Sequence, residues 1–131
     1  KHVQVCDAFE KSPREFGLSS SDIQCTPDGR FVFVGIRDRE KEHNAIARYK
    51  VNEDKSLTFL GRTPADPVPW GLTFSPDGRH LLATGTITGT LQVFRISAKG
   101  DLTLAAKYEW GDKVTDLVTR AARELPSRED P

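Results

Sequence analysis

The sequence predicts an all-β fold built from about two four-stranded antiparallel units of the β-propeller-blade kind. Three observations carry that prediction. The phrase TPDGR at 26–30 returns as SPDGR at 75–79. Pro27 and Pro76 lie 49 residues apart, close to the period of propeller blades and related arrays. Around both phrases, short segments alternate apolar and polar residues in the same order, with polar turns between them.

The repeated phrase is a turn with a mechanism. Pro presets φ at the second turn position, Asp bonds its own nearby backbone, and Gly takes the left-handed conformation that closes the turn. Before the turns stand DIQCT (22–26) and GLTFS (71–75); after them stand RFVFVGI (30–36) and RHLLATG (79–85). NAIARYKVN (44–52) and GTLQVFRIS (89–97) follow, the second with one break in its alternation, then the polar turns NEDKS and SAKGD. LTFLGR (57–62) and LTLAAKY (102–108) close the units. Each unit reads as four strands: short, longer, longer, short. The expected organisation is the end of a preceding blade and a connecting loop over 1–20, a blade over 21–65, a second over 66–110, and a C-terminal segment over 111–131.

That last segment has two readings. Residues 115–117 fall where a third repeat would place a first strand. Yet Val114, Leu117, Val118, Ala121, Ala122 and Leu125 form a one-sided helical stripe, with Asp112 as N-cap and Pro126 as stop. The balance favours a helix over 113–125.

Composition narrows the function classes. Lys plus Arg total 19, as do Asp plus Glu, so no basic stripe points to nucleic acid. No apolar run reaches transmembrane length and no signal peptide is visible, so no membrane partner and a cytoplasmic location are expected. Cys6 and Cys25 make no metal-binding pattern, and whether they pair stays open. No nucleophile elbow, Ser/His/Asp spacing, phosphate loop or dinucleotide fingerprint is present, and no metal or cofactor is expected. The Gly-rich GTITGTL (85–91) opens a strand and reads as a hairpin loop.

From Ser21 to about Tyr108 the chain resembles the C-terminal blades of the lactonase-type seven-bladed β-propellers. That family includes propeller 6-phosphogluconolactonases and carboxymuconate cyclases. The resemblance rests on "DI" before the first TPDGR, on Arg37 after the following strand, and on Asn44-Ala45-Ile46 opening the third strand. It implies a ring needing roughly 300 residues or more at about 45 per blade. The absence of Met fits a piece of a longer protein. The expected partners are therefore the remaining blades, or other copies associating through exposed blade edges, together with an anionic lactone or sugar acid as the small molecule.

Arg37 is the leading candidate for catalysis and substrate binding. It follows an apolar strand, matches an Arg that the family places at its anionic-substrate site, and offers a fork suited to a carboxylate, a phosphate or a developing oxyanion. The competing reading is a solvated Arg in the RDREKEH run. Asp22 is the second catalytic candidate, as an orienter of Arg37 or of a water; the alternative is a turn cap. His43 is a candidate base or substrate contact, or a surface histidine. Trp70 departs from the family, which often carries an Arg there, and it suits stacking on a sugar or rim packing. His80 reads as structural. Two functions follow: part of a lactonase-like enzyme hydrolysing a sugar-acid lactone as 6-phosphogluconolactonases do, with the chain alone inactive, or a non-catalytic propeller used for binding or scaffolding.

Overall fold

The computed structural model describes Gln4 and residues 18–38, 42–111 and 117–120. Eight strands follow in chain order: β1 (Leu18–Cys25), β2 (Phe31–Asp38), β3 (Ala45–Val51), β4 (Leu57–Pro64), β5 (Pro69–Phe74), β6 (His80–Gly85), β7 (Thr90–Ile96) and β8 (Leu102–Glu109). They form two four-stranded sheets ordered β1-β2-β3-β4 and β5-β6-β7-β8, with every neighbouring pair antiparallel. These are two propeller blades, each a meander in which every strand pairs with the next.

The repeated turns are built the same way. Thr26 N–H donates to Phe31 O at 2.9 Å and Gly29 N–H to Thr26 O at 2.8 Å. Ser75 N–H donates to His80 O and Gly78 N–H to Ser75 O, both at 2.9 Å. Gly29 and Gly78 sit at φ +72° and +70°, the left-handed region that glycine enters without strain. The Thr26 hydroxyl donates to the Asp28 carboxylate at 2.7 Å, and the Ser75 hydroxyl to that of Asp77 at 2.6 Å. These hydroxyls, then the backbone N–H groups of Arg30 and Arg79, hold both carboxyls below the usual aspartate range.

Two β-bulges recur as well. The β1–β2 register shifts between Ser20 and Ile23, and the β5–β6 register between Pro69 and Leu72. The β3–β4 and β7–β8 registers shift at Arg48/Tyr49 and Val93/Phe94. The extra residue in each bulge bends its strand and re-aims the side chains beside it.

One face of each sheet meets the other sheet. Phe31, Phe33 and Ile46 from the first pack with Leu72, Leu81, Ala83, Phe94 and Leu102 from the second. Phe33 and Leu81 are fully buried, and each such side chain contributes about 1.5–3 kcal/mol relative to exposure. Gly100 lets the sheets close here, because a Cβ on it would stand 2.6 Å from the Phe31 ring. The rim is tied by Arg30, which donates to Ala98 O at 2.8 Å, and by Arg48, which reaches Asp101 at 2.9 Å and Gly100 O at 3.2 Å. A smaller cluster of Val32, Ile36, Ala47 and Tyr49 lies on the other face of the first sheet.

Three expectations need adjustment. The first strand starts at Leu18, inside the stretch read as a connecting loop, because Leu18, Ser19 and Ser20 pair with Asp38, Arg37 and Ile36. The outer strands are not short: β4 and β8 each run 8 residues, pairing along the whole of β3 and β7. The helix expected over 113–125 falls mostly outside the described residues, and residues 117–120 are in neither helix nor strand. GTITGTL is the hairpin expected, with its turn over 86–89 between β6 and β7. Cys25 is an exposed free thiol, while Cys6 lies outside the described residues. No helix among the described residues is long and apolar enough to cross a membrane.

Candidate functional site

Arg37 stands one residue before the end of β2, on the face that carries Phe31, Phe33 and Gly35 toward the second sheet. It is half-buried rather than solvent-facing. Its guanidinium carbon lies 4.4 Å from the centre of the Trp70 ring, a cation–π contact across the two sheets. Two residues singled out separately in the sequence thus form one pair. Among the described residues the buried Arg37 Nε has no hydrogen-bond partner, and Nη2 reaches Ser20 O only at a long 3.4 Å. Arg48 Nε, at the rim between the sheets, is likewise buried without a hydrogen-bond partner among the described residues.

Trp70 reaches this position because its strand is held from several sides. Pro69 is fully buried, and its carbonyl accepts a hydrogen bond from the Ser21 hydroxyl, which also donates to Gly35 O at 3.3 Å. Gly35 is required for that approach: a Cβ there would lie 2.5 Å from Ser21 Oγ and 2.7 Å from Pro69 O. The preceding Val68 has φ +59°, a conformation that costs a β-branched residue on the order of 1–3 kcal/mol. Its N–H donates to Asn44 Oδ1 at 2.9 Å, and its carbonyl accepts Thr86 N–H at 3.1 Å. Trp70 itself is 44% exposed, with Arg37 covering part of its ring.

Asp22 stands elsewhere. Its carboxylate accepts Ile23 N–H at 2.8 Å and, across the sheets, Leu72 N–H at 3.0 Å. No ion pair or hydrogen bond joins it to Arg37 among the described residues. The geometry makes it a link between the inner strands β1 and β5.

His43 lies in a hollow of about 270 Å³ lined also by Glu42, Asn44, Ala45, Arg62 and Pro64, and neither Arg37 nor Trp70 lines it. Its Nδ1 is 2.9 Å from the Asp38 carboxylate, whose side chain is fully buried. The same carboxylate oxygen accepts the N–H groups of His43 at 2.8 Å and Glu42 at 3.1 Å. Asn44 completes the knot by accepting Asp38 N–H at 3.0 Å. Asp38 is the residue the sequence hid, sitting in a charge run that read as solvated; its place as the last strand residue before a loop, six before an Asn, was the available signal. His80 opens β6, half-buried, with its N–H on Ser75 Oγ. Among the described residues no group of three His, Cys, Asp or Glu side chains is placed to hold a metal ion.

With this geometry in hand, comparison with known proteins is informative. The family model for the lactonase seven-bladed β-propeller matches residues 1–118. A 6-phosphogluconolactonase of Serratia proteamaculans is 31% identical over 113 residues, which is 83% of this chain and 32% of that protein. A second from Xenorhabdus nematophila is 32% identical over 112 residues, covering 82% and 33%. This chain therefore spans about a third of the length of these relatives. Among solved structures, a periplasmic gluconolactonase of Pseudomonas aeruginosa superposes with a TM-score of 0.67 at 22% identity, over 86% of this chain and 30% of that one, a likeness of fold.

Proposed function

The chain belongs to the lactonase family of seven-bladed β-propellers, and on that premise we propose that its two blades supply an acid-binding wall to a lactonase acting on a sugar-acid lactone. One observation carries the reading: Arg37, stacked on Trp70, keeps a buried Nε without a hydrogen-bond partner among the described residues. In lactone hydrolysis water adds to the ring carbonyl, negative charge builds on the carbonyl oxygen, and the ring oxygen leaves with a proton. A fixed guanidinium stabilises that oxyanion and then holds the carboxylate product bidentately.

The proton transfers need other groups. Asp22 is engaged by two backbone N–H groups and His43 lines a different hollow, so neither is gathered with Arg37. Asp22 is better read as a positioning residue, and His43 as part of the loop held by Asp38. Further blades, from a longer chain or from other copies, complete the ring and bring the acid and base. The two-blade chain by itself is then a binder without turnover, and a cytoplasmic location stays part of this proposal. The expected result is that calorimetric titration with gluconate, the product-like acid, gives binding that Arg37→Ala weakens at least tenfold, while glucono-lactone is not hydrolysed above its spontaneous rate. Binding unchanged by Arg37→Ala contradicts the proposal. Gluconate binding left unaltered by Asp22→Asn would remove Asp22 from it.

A further inference from the structure

At the end of the seam away from Arg37, where the turn between β7 and β8 meets the first sheet, we infer a separate binding site: a cationic hollow that takes the phosphate group of a small phosphorylated ligand. The hollow holds about 290 Å³ and is lined by Arg30, Phe31, Lys50, Val51, Ala98 and Lys99. Both blades build it, so three cations from two sheets border one space.

The seam itself gathers these groups. Phe31 faces the second sheet, and Lys50 stands directly opposite Phe31 in the β2–β3 register. Residues directly opposed in an antiparallel pair share a face, so Lys50 extends toward the second sheet as well. Gly100 lets the turn over 97–101 settle on the Phe31 ring, which brings Lys99 to the same space. Arg30 donates to Ala98 O at 2.8 Å, and its guanidinium carbon lies 5.1 Å from the centre of the Phe31 ring. The acid of the 97–101 turn, Asp101, is taken by Arg48 at 2.9 Å. A neighbouring hollow of about 240 Å³ shares Arg30, Phe31 and Ala98 and carries Asp28 and Asp77, but Lys50 and Lys99 do not border it. Those two carboxylates serve their own turns, accepting the Thr26 and Ser75 hydroxyls and the N–H groups of Arg30 and Arg79.

A cleft with apolar walls and one sign of charge concentrates counter-ions. A phosphate monoester carries about −1.5 to −2 near neutral pH and suits several cations at once. The Arg30 fork offers directed N–H donors, while the two lysines close on the anion as point charges on flexible stems. The volume suits a small molecule, whose carbon frame would lie on Val51 and Ala98. A monocarboxylate brings too little charge to draw both lysines in.

The test titrates inorganic phosphate into the 131-residue chain at constant ionic strength and follows the NMR signals of Arg30 Nε–H and of the Lys50 and Lys99 backbone. Saturable shifts at all three are expected, with affinity reduced about fivefold or more by Lys50→Gln or by Lys99→Gln. Both lysines are exposed, so neither change threatens the fold. Lys55→Gln, which removes an equal charge from the turn between β3 and β4, leaves binding unchanged, as does Arg37→Ala. Glucose 6-phosphate binds at least as tightly as phosphate, and gluconate leaves the three signals still. Shifts that never saturate, or Lys50 and Lys99 variants that match the parent, overturn the site without touching the Arg37 wall. A phosphoserine peptide that binds about tenfold more tightly than glucose 6-phosphate overturns the assignment to a small ligand.

Discussion

At the end of β2 the first blade carries Arg37; 49 residues later, just past β6, the second carries Thr86. Gly35 in the first blade stands opposite Thr84 in the second, and the bulge pair Ser21-Asp22 opposite Trp70-Gly71. The β2–β3 connection is two residues longer than the β6–β7 turn, and its His43 and Asn44 bond Asp38 at the end of β2. At the opposite end the two TPDGR/SPDGR turns share the same backbone closures and the same hydroxyl-to-carboxylate bond. The blades are thus alike where backbone geometry dictates the residue and unlike where side chains of the two blades meet. Repetition marks the scaffold, and its breakdown coincides with the proposed site.

Making the blades alike where they differ should cost the most. Gly35→Thr copies Thr84, but its Cβ would meet Ser21 Oγ at 2.5 Å and the Pro69 backbone at 2.7 Å. A loss of about 3 kcal/mol is expected in urea unfolding, because backbone cannot give way as a side-chain tip can. The reverse change, Thr84→Gly, removes the buried hydroxyl that accepts Gly71 N–H at 2.9 Å and should cost about 2 kcal/mol.

Breaking the loop knot comes next. Asp38→Ala strips an acceptor from the N–H groups of Glu42 and His43 and from the imidazole, for an expected loss of about 2 kcal/mol by the same unfolding measurement. Val68→Gly should act in the other direction. Relief of the left-handed valine at φ +59° outweighs the added chain entropy of glycine, with a gain of about 1 kcal/mol. No stabilisation there would mean that the Val68 side chain contributes more than its strain costs.

The smallest effect lies in the matched turns. Asp28 and Asp77 have carboxyls held below their unfolded value of 3.8. Their contribution is therefore present above that value and lost as pH falls through the lower folded values. Asp28→Asn and Asp77→Asn should each reduce the acid sensitivity of stability below pH 3.8 by a similar small amount, read from melting temperature against pH. Unequal effects would show that the turns are less alike than their hydrogen bonds.

The fold was legible because its signals are local. Pro, Asp and Gly at fixed offsets and period-two alternation specify hairpins, and their recurrence specifies blades. The outer strands proved longer than expected because pairing continues through Thr63, Pro64 and Glu109, where apolar alternation has stopped. The site was legible only in part. Arg37 and Trp70 stood out as residues, but their contact spans 33 positions and depends on Gly35 admitting the β5 backbone. Asp38 and Val68 were hidden for the same reason. Burial of an acid and a left-handed valine are outcomes of packing between segments that no short window contains.

The central claim is that the two blades differ in one functional place, the Arg37–Trp70 pair. Its most direct test is a gluconate titration of the 131-residue chain followed by NMR on backbone and side-chain N–H signals. The account predicts that Arg37 Nε–H and Trp70 Nε1–H move together with the backbone of Ser20, Ser21 and Val68, while the turns at 26–30 and 75–79 stay still. Shifts centred on either turn, or on the His43 hollow with Arg37 and Trp70 unmoved, would contradict it.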